Sequence, residues 1–457
     1  MKHCYSRLLF CLLLCLPVAA FAQWEDALHA ISTEEDATDE AWEDAYSMLT
    51  ALHEHPININ QATREDLEQL PFLSEKQVEN ILEYIYRYGP IKDKAELQMV
   101  SSLDMARRRL LEHFIVIGQS EKTSIWPKWN DVAKYGKHSL IATVKAPLYD
   151  RKGDRNGYFG YKYKHWFRYQ FQYSNRISFG LTGSQDAGEP FFAQCNRTGY
   201  DYYAYYFQLR NIGRLEALNV GMFRLQWGMG LVMNTGFGLG KVATLPSLSR
   251  TNAVIRAHSS RAEAGYFQGI AATVRLQQHW QLTAFASHRP MDATLNSDGS
   301  ARTIIDNGYH RTPTEIGKKH NLHATAAGAS LNWKHNGFYA ATDVVMTHFD
   351  RALQPQKATA IYRRYAAEGN GFVNAGVCYG FVNTRLSLNG ETAMNRQGAL
   401  ATIHSLQFSP AGDVTLTLLH RYYDKRYTAL HARSFGEGSG VQNEHGIYLG
   451  ATWRPGR

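Results

Sequence analysis

The residues best suited by type and spacing to do chemistry gather between positions 227 and 265. Gly236-Phe237-Gly238-Leu239-Gly240-Lys241 has the glycines and the lysine of a phosphate cradle. It lacks the Gly-x-x-x-x-Gly-Lys-Ser/Thr spacing and the strand-to-helix setting that a cradle needs. A glycine-rich loop folded closely against a wall is the better reading. The same stretch carries Lys241, Arg250, Arg256, His258 and Arg261. Cations on one loop make a basic constriction when the loop folds into a channel. A loop that only caps the channel is the competing reading. The 19 histidines never fall in His-Glu-x-x-His or a similar ligand spacing, so no metal or cofactor is expected. Asn296-Ser297-Asp298-Gly299 lacks the remaining ligands of a calcium loop and reads as a turn. His404, Ser405, His420 and Asp424 are the residue types of a barrel hydrolase, but no spacing fixes their geometry. No catalytic residue is assigned, and the chain is not expected to be an enzyme.

The elements that must carry these residues are strands. From Tyr161 to Tyr173 the odd positions are Tyr, Tyr, His, Phe, Tyr, Phe, Tyr and the even ones Lys, Lys, Trp, Arg, Gln, Gln. A period of two is a strand with one apolar and one polar face. Ser174, Asn175 and Arg176 make a turn, and Ile177, Phe179 and Leu181 continue the apolar face on the next strand. The length suits a membrane-spanning strand, and a charged inner face suits a watery lumen. Fourteen such segments run from 137 to 453: 137–147, 161–173, 177–184, 200–209, 214–226, 266–278, 280–288, 323–334, 338–349, 371–382, 384–394, 400–409, 413–424 and 444–453. Short connections alternate with long ones, the pattern of an outer-membrane barrel with short periplasmic turns. The ending Arg454-Pro455-Gly456-Arg457 reads as the opening of another turn. A fragment lacking further strands and a fourteen-strand barrel with an atypical end both fit it.

Charge divides the chain. Residues 23–120 hold 20 acidic and 8 basic residues, whereas 121–457 hold 21 acidic and 39 basic. Residues 1–22 read as a secretory signal, with Lys2 and Arg7, an apolar core and Ala20-Phe21-Ala22. Three of the five cysteines lie in it, leaving Cys195 and Cys378, which read as unrelated thiols, with one bridge between them as the alternative in an oxidising compartment. Residues 23–55 contain ten acids and no Lys or Arg, with apolar residues at helical spacing. The organisation expected is signal 1–22, acidic helical segment 23–55, helical domain 56–120, linker 121–136 and barrel 137–457.

Residues 56–117 contain Asn58-Ile59-Asn60-Gln61-Ala62, Leu67-Glu68-Gln69-Leu70-Pro71, the Tyr86-Arg87-Tyr88-Gly89 block and a second Leu97-Gln98-Met99-Val100 hairpin. This resembles the tandem helix-hairpin-helix domain of ComEA-type DNA-binding proteins. The resemblance implies phosphate-binding hairpins at Phe72-Leu73-Ser74 and Ser102-Leu103-Asp104, with Lys76, Arg107, Arg108 and Arg109 as phosphate contacts. In the family each hairpin carries Gly-hydrophobic-Gly, so that backbone N–H groups approach DNA. Here all four glycines are replaced. Phe72 is expected to add bulk where a phosphate would lie, and Asp104 to add like charge.

Taken whole, the order of segments resembles a poorly characterised group of Bacteroides-type outer-membrane barrels with a ComEA-like domain. Gln226-Trp227-Gly228-Met229-Gly230-Leu231-Val232 is also similar to that group. The expected fold is a small all-α helix-hairpin-helix domain followed by an all-β antiparallel transmembrane barrel of about fourteen strands. The expected function is a pore or assembly component whose periplasmic domain docks a protein partner or gates the lumen. Outer-membrane lipid is the expected surrounding. DNA uptake through a basic barrel is the alternative, and a barrel hydrolase the third reading.

Overall fold

The computed structural model describes residues 49–50, 52–53, 56–100, 102–118, 126–194, 196–236, 254–357, 363–383, 385–411, 414–438 and 440–453. The signal, most of the acidic segment, Lys241, Arg250 and Cys195 lie outside them.

The helical domain is built on capped helices. Thr63 caps α1 (Arg64–Leu67) and Ser74 caps α2 (Glu75–Tyr88), each in a reciprocal box with the residue three positions on. A 3-10 helix (Lys94–Met99) and α3 (Met105–Glu112), capped by Asp104, complete the second hairpin. Strands β1 (Ile57–Asn58) and β2 (Ile115–Val116) pair in parallel and tie the ends of the domain together. Leu67, Leu70, Phe72, Leu73, Ile81, Leu110 and Phe114 form one buried core. Phe72 lies in that core with its ring 5.6 Å from Phe114. It does not project from the hairpin tip as the sequence reading expected, because an aromatic ring gains more by packing than by exposure.

After α4 (Trp129–Tyr135), the chain forms one large sheet. Its wall strands are β3 (Lys137–Lys145), β4 (Lys164–Tyr173), β5 (Ile177–Gln185), β6 (Tyr202–Ile212), β7 (Leu215–Gln226), β9 (Phe267–Gln277), β10 (Trp280–Leu295), β12 (Leu322–His335), β13 (Phe338–Leu353), β14 (Gly369–Val382), β15 (Leu386–Asn395), β16 (Leu400–Ala411), β17 (Val414–Tyr423) and β18 (Glu444–Trp453). These correspond to the fourteen segments read from periodicity. β10 and β13 run further than expected, and Tyr161–Tyr163 precede β4 rather than belong to it. Two short strands escape the periodicity, β8 (Val254–Ala257) on β7 and β11 (Ala301–Ile305) on β10. Neighbouring wall strands are antiparallel, and β3 and β18 end the sheet.

The dyad sorts the faces as expected. Leu388, Met394, Leu416, Leu418, Ile447 and Leu449 are exposed on the outside. Ser387, Asn389, Glu391, Arg168, Gln170 and Arg421 are buried inside. The inside, however, is not a watery lumen. Phe223, Leu225, Phe285, Ala326, Val345, Ala393, Ile403 and Leu419, from seven strands, join one buried cluster with Trp227, Met229, Leu231, Val232 and Met233. The sheet therefore curls round a segment of its own chain.

Candidate functional site

The inward segment begins at Gly221. Its φ is +107°, and a Cβ there would lie 2.5 Å from the Tyr205 carbonyl oxygen, so only glycine fits. Pairing with β6 stops at this residue, and β8 takes the vacated edge of β7. The chain then makes a tight hairpin. Trp227 N donates to the Met233 carbonyl at 2.9 Å, and Thr235 N to the Leu225 carbonyl at 2.9 Å. The tip, Gly228–Val232, wraps round one carboxylate. Met229 N donates to Glu391 Oε2 at 2.6 Å, and Leu231 N and Val232 N to Oε1 at 3.0 and 3.2 Å. Gly228 and Gly230 have positive φ, so successive N–H groups turn toward one point, an anion nest. Glu391 sits in mid β15, far from either strand end. The plug is thus latched to the wall by a buried acid.

The β17–β18 loop seals the hairpin from the long-loop side. Arg433 N donates to the Gly230 carbonyl at 3.0 Å, Asn234 N to His431 at 2.7 Å and Tyr427 Oη to Leu231 at 2.8 Å. Between these segments and β10–β13 a cavity of about 380 Å³ remains, bordered by Tyr266, Arg289, Asp306, His431 and Arg433.

The short-turn end is closed by the helical domain. Asn175 Nδ2 donates to Asp66 Oδ2 at 3.2 Å, and Arg210 Nη1 lies 3.7 Å from Asp66 Oδ1. Lys76 Nζ donates to Ser409 Oγ at 2.7 Å, and burial lowers the pKa of its ammonium. Arg256 Nη2 donates to the Glu68 carbonyl at 3.1 Å. Asp66 and Glu68 are both buried there. Acids of the domain thus meet inward arginines of the barrel, the attraction that the charge division suggests.

Beyond the wall, the loops after β5 and β11 are joined by a charged network. His310 Nδ1 is 2.5 Å from Asp201 and its Nε2 is 2.6 Å from Asp292, while Lys319 Nζ is 2.6 Å from Asp201. Burial alone would lower the His310 pKa, but the two carboxylates raise it to about 10. Burial and the Asp201 charge push Glu189 up to about 8.

The expected site residues fall as follows. Arg256, on β8 opposite Arg224, donates to the helical domain, and Arg261 lies 4.9 Å over the Trp166 ring. His258 stacks on Tyr266 at 4.7 Å. Ser74 and Asp104 are helix caps, so hairpin N–H groups offered to a phosphate are satisfied from within. Ser102 donates nothing outward; its carbonyl accepts from Gln77 Nε2 at 3.0 Å, and Leu103 is buried. Arg107 is held by Asp104 at 2.6 Å and by the Phe72 carbonyl at 3.0 Å. Arg109 is exposed and Arg108 half-buried on the same helix. Lys76 faces the barrel rather than solvent. The hydrolase set does not assemble: Ser405 is buried inside, while His404 and its cross-strand partner His420 lie on the other face. Asn296–Ser300 is a turn, with Ser300 N on Asp298 Oδ1 at 2.9 Å.

Residues 53–115 match the family model described as a helix-hairpin-helix motif. That motif is the small domain at the short-turn mouth. No curated protein matches the chain. Among solved structures, the chain is similar to Salmonella typhi OmpF in complex with daunomycin, at 8% identity and TM-score 0.29 over 69% of this chain and 95% of that one. It is also similar to the anion-selective porin from Comamonas acidovorans, at 10% identity and TM-score 0.27 over 70% and 99%. A third is Acinetobacter baumannii OccAB2, at 7% identity and TM-score 0.27 over 63% and 69%. The barrel assignment stands on the strands themselves.

Sequence reasoning missed Glu391, Asp66 and Glu68. The usable signal for Glu391 was an acid at an inward position of a strand otherwise lined by Ser387 and Asn389. Nothing in the sequence pairs it with the hairpin tip.

Proposed function

We propose that this protein is an outer-membrane barrel held closed by an internal plug, with its helix-hairpin-helix domain docked as a stopper on the periplasmic mouth. The apolar outer face and the short-turn, long-loop alternation support the membrane placement. No helix among the described residues is long and apolar enough to cross a membrane, which leaves the strands to do so. The observation that carries the gating reading is Arg256. It lies on β8, which pairs with β7 at the base of the plug hairpin, and it donates to the helical domain, so movement of the domain would be felt where the plug leaves the wall. The function is a gated pore or assembly component in which a periplasmic protein that binds the domain would open the lumen. DNA binding is disfavoured because the first hairpin faces the barrel and both hairpins are self-capped.

Planar-bilayer recording tests this. Deleting residues 23–118 should raise conductance or opening frequency, and Arg256→Ala should move in the same direction. Equal traces for all three chains would refute gating. Tags after Asp298 should be labelled in intact cells and tags after Asn175 should not; the reverse pattern would overturn the topology.

A further inference from the structure

Two clusters in the barrel bring three metal-ligating side chains together among the described residues: Glu189, Asp201 and His310 between the long loops, and Asp343, Cys378 and Glu391 in the wall. They differ in what balances their charge. In the first, both His310 nitrogens and both Asp201 oxygens are engaged by one another, by Asp292 and by Lys319. Glu189 accepts from the backbone N–H groups of His310 and Asp186. That cluster is complete without an added cation.

In the wall cluster Glu391 accepts the three plug N–H groups, but among the described residues no cationic side chain pairs with either acid. Cys378 lies directly across from Glu391 on neighbouring strands, and Asp343 comes from the strand on the other side of Cys378. All three are buried. Asp343 Oδ2 is 3.3 Å from Cys378 Sγ, and Asp343 Oδ1, fully buried, has no hydrogen-bond partner. Two carboxylates and a thiol in an enclosed site, with one carboxylate oxygen unpartnered, make an arrangement that only bound protons or a cation can neutralise. The 3.3 Å separation suits two ligands of one tetrahedral ion, with metal–sulfur near 2.3 Å and metal–oxygen about 2.0 Å. Of the three N–H donors on Glu391, only Met229 uses Oε2, which leaves that oxygen a lone pair. A Cβ on Gly228 would lie 2.3 Å from Sγ and 2.9 Å from Oε2, so a side chain there would fill the site.

We propose that Asp343, Cys378 and Glu391 bind a borderline-soft divalent cation of the zinc type. The ligands are the Cys378 thiolate, Glu391 Oε2 and Asp343 through one or both oxygens. The thiolate selects against magnesium and calcium. Binding releases the thiol proton and any proton that the two carboxylates share, so uptake strengthens as pH rises. The ion joins β13, β14 and β15 to the acid that latches the plug. The proposal stands whether or not the barrel gates.

The test uses the full chain folded in detergent, stripped with EDTA, loaded with Zn²⁺ or Cd²⁺ and freed of excess. Metal content is measured by mass spectrometry, and the thiolate-to-cadmium charge-transfer band by ultraviolet absorption. About one ion per chain is expected, with the band present. Cys378→Ala and Asp343→Asn should each weaken binding at least about tenfold, the scale at which even outer-shell changes act. Comparison with Cys378→Ala separates this thiol from Cys195 and from the histidines. Asp201→Asn should leave the site unchanged. Heat-modifiable migration shows that each variant is folded. A folded chain that holds no more metal than the Cys378→Ala/Asp343→Asn double variant overturns the proposal. So does binding that survives Cys378→Ala intact.

Discussion

The lumen is closed twice, by different physics. In its middle, the plug hairpin buries Trp227, Met229 and Leu231 against the inner wall and hands its tip amides to one buried acid. At the short-turn mouth, the helical domain makes a handful of polar contacts through Asp66, Glu68 and Lys76. The helical domain has its own buried core, whereas the plug shares its core with the wall. Hydrophobic burial is insensitive to salt, and the Asp66–Arg210 pair of the dock, being buried, is only weakly screened by it. The dock thus rests on a few polar contacts, and the plug on a shared apolar core.

The largest expected effect comes from the plug core. Trp227→Ala should destabilise the barrel by about 3–5 kcal/mol, the range for large-to-small changes at a fully buried aromatic. It should show as a lower temperature for the shift in gel migration. An unchanged transition would place the ring outside the stabilising core.

Next comes the latch. Glu391→Gln keeps the shape but replaces charge-assisted acceptors by neutral ones, one of them an amide that faces N–H groups as a donor. A loss of about 1–3 kcal/mol is expected, below that of Trp227→Ala. Hydrogen exchange of Met229, Leu231 and Val232 should speed up while β9 and β10 stay protected. Uniform protection in the variant would show that the nest does not hold the plug.

The dock should give a smaller change, because it rests on a few polar contacts rather than on an apolar core. Raising salt to about 1 M, where the Debye length is about 3 Å, should speed exchange in α1 and α2 without affecting 227–235. Asp66→Asn should mimic salt. Salt that loosens the plug as well would erase the contrast between the two closures.

A third closure, at the long-loop end, should respond to pH. Both Glu189 and His310 have raised pKa values, so each contributes stability at low pH that is lost as pH rises. For Glu189 the loss runs from about 4.5 to about 8, and for His310 from about 6.5 to about 10. Proteolysis of loops 186–201 and 306–321 should therefore accelerate on the alkaline side. His310→Ala should remove the upper part of that dependence. A rate that is flat from pH 7 to 10 would break the assignment.

The smallest effect expected is on DNA. With Ser74 and Asp104 spent as caps and Arg107 held internally, duplex DNA should bind no tighter than about 10⁻⁴–10⁻⁶ M at physiological salt. A submicromolar constant that weakens with Arg108→Ala would bring DNA uptake back.

What the sequence alone determined is what short range controls. Alternation with a period of two set fourteen strands and their outward faces, because neighbouring side chains on a strand must point to opposite sides. Motif spacing made the helix-hairpin-helix domain legible, but not that Ser74 and Asp104 cap its helices. Connection lengths separated a short-turn end from a long-loop end. β8 and β11 were missed because four or five residues carry no readable period. The contents of the lumen were decided only in three dimensions. Leu231 and Glu391 are 160 residues apart, and no local pattern says that a glycine-rich loop will spend its amides on that carboxylate. Phe72 looked like an obstruction at a hairpin tip until the fold turned it inward onto Phe114. Lys76 looked like a phosphate contact until the domain was seated on the barrel. Partner choice among distant groups follows from which surfaces the curled sheet brings within hydrogen-bond reach, and that reach is a property of the tertiary structure.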